Sequence, residues 1–426
     1  MARVQQPKRP VQSQRARQTK QRTDVAGRLS RVSSASQQVA LHWFSRLFRA
    51  QSALFYQIFF VTVLIAIFGL AMVLSSSAVD SIRNNAGNAF ATSNKQVGFA
   101  LVGFTLLIAG SLFTTRFMHA WAKRAFLFAF FLQLLVIPLG VSVNGNKAWL
   151  QIGEFRLQPS EFLKVGLILM LAWLMQDRAH ETFDRWRYLF PILGVGFFVV
   201  LAVAGISSDV GTALVIVLII MMMLWLSGIP RGYMGWPVLV TAVLAFGAVM
   251  VSPSRRGRVW AFFDPSSDVT GAYTDQTVHG VWALAAGRIT GVNLGQSKMK
   301  WTWIPEVEND FIFAIIGEEL GLIGALGVIA LFVYLGVLIM RVAMRASTVF
   351  GRMLVTGICI WIFGQAVINI AVVLNLFPVL GVPLPLISAG GSSLISGLGA
   401  IGLVLAVERE NHLQDGGPAR QKRVKR

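Results

Sequence analysis

Residues 311–340 read FIFAIIGEELGLIGALGVIALFVYLGVLIM, thirty residues in which Glu318 and Glu319 are the sole charges. At a helical rise of about 1.5 Å per residue, this stretch more than spans a hydrocarbon core of about 30 Å. A charge at the centre of a spanning helix costs roughly 2.5–3.5 kcal/mol on insertion scales. Two adjacent acids there must be neutral, paired with a base, or facing water. Pairing is the plainer reading, and an ion relay is the rival. Gly317, Gly321 and Gly324 form a small-residue stripe of the kind that packs helices together.

Nine more apolar stretches flank this one. The spans expected are roughly 54–76, 97–115, 124–143, 161–176, 188–206, 210–228, 233–252, 311–340, 350–376 and 386–407. The fold class is therefore an all-α integral membrane protein of about ten transmembrane helices. A large extracellular loop, 253–310, falls between the seventh and eighth. The whole composition agrees: 55% of the 426 residues are hydrophobic and 13% charged, against about 25% charged in soluble domains. A soluble fold could not keep so much apolar surface from water.

The net charge of +19 reflects topology rather than nucleic-acid binding. With both termini on one side, the tails and the loops on their side hold 27 of the 38 Lys/Arg. The positive-inside rule then puts both ends in the cytoplasm. Residues 1–52 form a basic tail with no early apolar period, expected to be disordered and not a cleavable signal peptide. Within it, Trp43, Phe44, Leu47 and Phe48 beside Arg46 and Arg49 fit either a short interfacial helix or a plain solvated tail. Residues 53–408 make the membrane domain and 409–426 a second basic cytoplasmic tail. Arg255, Arg256 and Arg258 in the outer loop run against the charge rule, and an anionic substrate would explain them.

Several chemistries are disfavoured. One cysteine, Cys359, permits no intramolecular disulfide. Five scattered histidines without an HExxH-type pair argue against a His/Cys metal site. No Walker loop or strand-flanked GxGxxG points to nucleotide use.

Four stretches can carry chemistry. Asp310 is the last residue before span 311–340, where a helix dipole favours an ionised carboxylate. It reads either as an N-cap or as a general base, although Phe313 stands where a capping-box partner would be. Next comes Trp149 with Arg156-Leu-Gln158-Pro159-Ser160-Glu161-Phe-Leu-Lys164. Pro159 fits a helix start, and Glu161 and Lys164, three apart, share a face. With Arg156 they either grip a pyrophosphate or sugar, or the acid and base simply pair. Asp209 lies in a three-residue link between two spans, where it caps the next helix or faces a cavity. Finally, Pro378, Pro383 and Pro385, followed by Ser388-Ala-Gly-Gly-Ser392-Ser393, interrupt a helix at membrane depth. Such breaks are tolerated only when enclosed by protein or lining a cavity. Freed amides and hydroxyls suit an anion, and a transporter re-entrant loop fits as well.

Taken together, these stretches resemble the SEDS (shape, elongation, division and sporulation) family over roughly residues 55–408. The most specific pieces are Asp310-Phe-Ile-Phe-Ala-Ile-Ile-Gly-Glu-Glu-Leu-Gly, Gln158-Pro-Ser-Glu161-x-x-Lys164, and the run from Pro378 to Ser393. Ser208-Asp209-Val-Gly211-Thr212 and Lys95-Gln96 look like two further family elements. Departures include Glu308-Asn309-Asp310 where His-Thr-Asp is usual, Ala148 where an Arg is usual, Ala389 where Tyr is commoner, and Asn375.

The resemblance implies a ten-helix peptidoglycan glycosyltransferase that polymerises lipid-linked disaccharide. Asp310 would be the catalytic base. Arg156, Gln158, Glu161, Lys164, Lys95, Asp209, Trp149, Arg258, Ser388 and Ser392 would bind substrate. The leaving group would be undecaprenyl pyrophosphate, which a divalent cation such as Mg2+ is free to assist; no dedicated metal motif is visible. The family works with a class B penicillin-binding transpeptidase and other division proteins, in the plasma membrane. The basic N-terminal tail and the loop around Val278-His279-Gly280 and Ser297–Trp301 point to the division type, hence the septum, over the elongation type. Rival readings are a precursor flippase, a secondary transporter using Glu318, Glu319 and Asp209, and a non-catalytic scaffold.

Overall fold

The computed structural model describes residues 51–84, 87–143, 146–153, 155–177, 185–229, 231–233, 235–251, 253–264, 274–301 and 307–415. The chain divides into a unit of residues 1–51 and a unit of residues 52–426, and every element described lies in the second. The expected interfacial helix at 43–48 falls outside the described residues.

The elements run α1 (Ala53–Asn84), α2 (Ala91–Ser111), α3 (Thr115–Leu134), a single turn α4 (Val136–Leu139), β1 (Gly140–Val143), β2 (Asn146–Ile152) and β3 (Phe155–Leu157). Next come α5 (Pro159–Asp177), α6 (Arg185–Val200) running into a π turn (Leu201–Ile206), α7 (Val210–Leu226), a 3-10 turn (Arg231–Tyr233) and α8 (Gly235–Val251). The segment between α8 and α11 carries α9 (Pro253–Phe263) and α10 (Thr274–Gly287), and the chain closes with α11 (Ile312–Arg345), α12 (Val349–Val373) and α13 (Gly391–Asp415). Each of the ten expected spans contains a helix. Among the described residues six helical stretches are long and apolar enough to cross a membrane: α1, α3 with α4, α6 with its π turn, α11, α12 and α13, with α7 a shorter apolar helix. The chain is a multi-pass membrane protein. Shorter or more polar, α2, α5 and α8 leave the count of ten as a proposal.

Boundaries differ from expectation where capping and turn chemistry compete with hydropathy. Thr114 accepts a hydrogen bond from the Phe117 amide and starts α3, so the basic stretch from Arg116 to Arg124 is helical rather than a loop. The third span ends early, because residues 140–143 are β1. The three strands form an antiparallel sheet in the order β1-β2-β3, with Val141 opposite Trp149 and Gln151 opposite Arg156. Helix α13 runs on to Asp415, through the expected boundary at 408.

α13 is mostly buried and packs most extensively on α2, while α12 packs on α5, α7 and α11. Small residues let α13 and α2 approach closely. A Cβ at Gly402 would fall 2.5 Å from the Leu107 carbonyl oxygen, and one at Gly103 would fall 2.6 Å from the Leu398 side chain. Such backbone proximity is how helices gain packing energy in lipid, where burial of apolar area gives none.

Helix α11 is broken at Gly321, whose φ of 69° and ψ of −166° lie outside the helix. The loop after α10 crosses the break. Val292 and Asn293 amides donate to the Glu318 and Glu319 carbonyls (3.0 and 3.2 Å), and the Leu322 and Ile323 amides donate to the Arg288 and Ile289 carbonyls (2.9 and 3.2 Å). Backbone groups freed by the kink are thus satisfied by protein, as membrane depth demands. The two acids are satisfied there as well. Glu319 takes the Ser75 hydroxyl (2.7 Å) and the Lys300 ammonium (3.2 Å). Glu318 takes the Ser297 hydroxyl and the Lys298 amide, the latter at 2.9 Å. Gly321→Ala puts a methyl 2.4 Å from the Gly291 nitrogen and a side chain at positive φ. Strained backbone of this kind costs about 1–3 kcal/mol. The expected outcome is a clear drop in the thermal midpoint of the detergent-solubilised protein; an unchanged midpoint would mean that the crossing loop yields freely.

Candidate active site

The four stretches singled out in the sequence meet at one end of the bundle. Asp310 lies two residues before α11, half-buried. It is not the N-cap: Phe311 holds that position and makes no side-chain cap bond. The Asp310 carbonyl accepts from the Asn369 side-chain amide at 2.8 Å, and the same amide nitrogen reaches the Val382 carbonyl at 2.7 Å. The carboxylate faces the broken segment: a Cβ built on Gly381, where φ is +69°, would lie 3.5 Å from Asp310 Oδ2. The positive φ, which side-chain-bearing residues adopt only with strain, favours glycine at position 381.

The broken segment, residues 374–390, is tied on all sides. Gln365, one turn before Asn369 on α12, donates to the Pro383 carbonyl (2.9 Å). Gln96 on α2 donates to the Ser388 carbonyl (3.1 Å), and the Ala389 amide donates to the Glu308 carbonyl (2.9 Å). The Ser388 hydroxyl turns inward and accepts from the Leu384 amide (2.8 Å). Gly211 at the start of α7 fits under the Leu380 carbonyl, 2.2 Å from where a Cβ would stand. Prolines remove amide donors here, so side-chain amides from neighbouring helices serve the carbonyls instead.

Gln158 joins three elements. Its backbone amide donates to the Ser392 hydroxyl (2.9 Å) at the first turn of α13, and its side chain donates to Asp209 Oδ2 (2.9 Å). Asp209 is also the cap of α7, taking the Thr212 amide at 3.0 Å on Oδ1. It sits in the link between two helices. Burial pushes its carboxyl above the usual range, and the Thr212 hydrogen bonds work against that rise.

Glu161 and Lys164 are buried on α5, each 1% exposed, with Lys164 Nζ 2.8 Å from Glu161 Oε1. The ammonium also donates to Gln365 Oε1 (2.8 Å) and stands 4.8 Å from the centre of the Trp361 ring. The Trp361 indole donates to the same Gln365 oxygen at 2.8 Å. Lys164 therefore spends its charge inside the protein.

Lys95 on α2 and Arg156 on β3 are exposed cations on elements that pack against α13. Next to Lys95, Gln96 holds Ser388; next to Arg156, Phe155 packs edge-to-face on Phe99 (5.7 Å), whose ring lies against Gly391. Trp149 is half-buried on β2, and Arg258 stands partly exposed on α9. Among the described residues, no group of three or more His, Cys, Asp or Glu could hold a metal ion.

Asn369 stands in the sequence as the polar residue leading into the Pro378–Ser393 stretch, without a role of its own, and Gln365 is not singled out there. Their signal was available: two amides at i and i+4 in an otherwise apolar span mark one polar face, and polar groups at that depth are costly unless they have work to do.

Residues 56–413 match the family model for FtsW/RodA/SpoVE cell cycle proteins. A probable peptidoglycan glycosyltransferase FtsW of Mycobacterium tuberculosis is 37% identical over 362 residues, covering 83% of this chain and 68% of that protein. Stage V sporulation protein E of Bacillus subtilis is 33% identical, covering 82% and 95%. A probable peptidoglycan glycosyltransferase FtsW of Trichlorobacter lovleyi is 35% identical, covering 82% and 91%. A chain from a solved peptidoglycan synthase complex that coordinates polymerization and crosslinking superposes with a TM-score of 0.69 at 26% identity, covering 86% of this chain and 99% of that one. The rod shape determining protein RodA of Thermus thermophilus shares the fold, with a TM-score of 0.63 at 23% identity over 86% and 99% of the two chains.

Proposed function

We propose, from the premise that this chain belongs to the FtsW/RodA/SpoVE family of cell cycle proteins, that it is a peptidoglycan glycosyltransferase working on lipid-linked disaccharide at the outer face of the plasma membrane. One observation supports the reading of the site: a half-buried carboxylate, Asp310, lies against Gly381 of the broken segment, which is tied in turn to Gln96, Gln365 and Asn369.

Asp310 takes the proton of the acceptor sugar's 4-hydroxyl as that oxygen bonds to the anomeric carbon of the growing strand. The bond from that carbon to the pyrophosphate oxygen breaks, and undecaprenyl pyrophosphate leaves with the electron pair. General bases of this kind contribute about 10²–10⁴-fold. The leaving pyrophosphate needs positive charge, which Lys95 and Arg156 supply, with Arg258 from the outer loop. Trp149 lies within the same end of the fold. Glu161, Lys164, Gln158, Asp209, Ser388 and Ser392 hold the frame, since their polar atoms bond to one another and to the backbone. Apolar helix faces accommodate the polyprenyl tails.

The division-type resemblance supports action at the septum with a class B penicillin-binding transpeptidase as partner. Purified chain with its cognate transpeptidase, supplied with lipid-linked disaccharide, is expected to give glycan polymer on a gel. Precursor consumed by no polymer, or moved between leaflets without polymer, would overturn the reading.

A further inference from the structure

We infer that Asn369 is a positioning residue for Asp310: its single side-chain amide group clamps the backbone of the catalytic carboxylate to the backbone of the broken segment, and so fixes the gap in which the acceptor hydroxyl is deprotonated. The inference rests on Asp310 being the base and goes beyond it.

Asn369 is 1% exposed and its Nδ2 bridges two carbonyls from segments far apart in sequence, Asp310 (2.8 Å) and Val382 (2.7 Å). Both distances lie within the normal range for N–H···O hydrogen bonds. Each carbonyl belongs to, or adjoins, a residue that defines the gap. Asp310 carries the carboxylate, and Val382 directly follows Gly381, whose bare Cα faces that carboxylate. Asp310 precedes the first turn of α11 and Val382 lies in the broken segment, so neither carbonyl belongs to a helix, and the Asn369 amide from α12 reaches both. Gln365, one turn earlier, holds the next carbonyl, Pro383, at 2.9 Å. The Gln365–Asn369 face of α12 therefore acts as a two-rung rack for the broken segment, and the second rung alone reaches across to Asp310.

Loss of this clamp should move the base relative to the acceptor hydroxyl without removing any group that grips the substrate. Misplacement by about 1 Å is enough to cost on the order of 10²-fold in rate. Asn369→Leu keeps the size of the side chain and removes both donors. In the complex with the transpeptidase, it is expected to lower kcat for polymerisation about 10–100-fold with KM for lipid-linked disaccharide within about two-fold. Asn369→Gln keeps the amide one methylene further out and is expected to retain more kcat than the leucine variant. A purely structural role would lower the amount of active protein, so folded fraction is measured by thermal melting and kcat is expressed per folded molecule.

An unchanged kcat in Asn369→Leu overturns the inference, and so does a rise in KM at constant kcat. Should the leucine variant fail to accumulate, Asn369→Ala, which also lacks both donors, decides: a fall in kcat at constant KM supports the clamp, and wild-type kinetics overturn it. Failure of the underlying reading looks different, because then Asp310→Asn itself stays active.

Discussion

Asp310→Asn is expected to insert, fold and bind its partner while losing polymerisation by about 10²–10⁴-fold. The substitution is nearly isosteric. It removes the negative oxygen that would take the proton and leaves the backbone carbonyl, which Asn369 grips at 2.8 Å, untouched. Helix α11 does not depend on the side chain for its start, because Phe311 occupies the N-cap and makes no side-chain cap bond. The helix start should therefore survive the substitution, and folded fraction is measured by thermal melting. KM should stay near wild type, since the group is used in the transition state rather than for gripping the ground state. Asp310→Glu retains the charge but advances it by a methylene, and is expected to fall between the two. The decisive measurement is polymer formed per folded molecule at saturating precursor. A rate for Asp310→Asn within three-fold of wild type would remove the base from position 310.

Membrane class was legible in the sequence, because hydropathy is imposed by the bilayer on any chain that crosses it. The motif residues were legible as single positions. Their partnerships were not. Nothing in the spacing of Gln158 and Asp209 shows that one amide would bond the other's carboxylate at 2.9 Å, since that depends on how α5 and α7 pack. The pairing of Glu161 with Lys164 was readable from an i, i+3 spacing, but the way Gln365 and Trp361 enclose the ammonium needed the fold. The sheet was missed for a local reason. Residues 140–143 are apolar enough to extend a span, yet Asn144-Gly145 follows them, the dipeptide that most strongly signals a hairpin between alternating strands. Likewise, hydropathy treats residues 311–340 as one uniform span, whereas Gly321 breaks the helix and admits the loop after α10.

Lys164→Met is expected to be among the most disruptive single changes in the chain. The ammonium is 1% exposed and is the base closest to the equally buried Glu161, at 2.8 Å. Removing one member of such a pair leaves an uncompensated charge away from water, typically at a cost of 3–5 kcal/mol. The loss extends further, because Gln365 Oε1 gives up one of its two donors and the Trp361 ring gives up its cation. Gln365 also holds the Pro383 carbonyl, so the disturbance passes from α5 through α12 into the segment beside Asp310. The expected result is little folded protein in the membrane and a lowered thermal midpoint in what remains. The double variant Glu161→Leu/Lys164→Met separates charge imbalance from lost packing. Replacing a whole buried pair by apolar groups of similar volume is often neutral or better, so the double variant should melt well above Lys164→Met. If the single variant melts like wild type, the pair has access to water or to another counter-charge. If the double is no more stable than the single, the contribution comes from the ammonium's contacts with Gln365 and Trp361 and not from its neutralisation of Glu161.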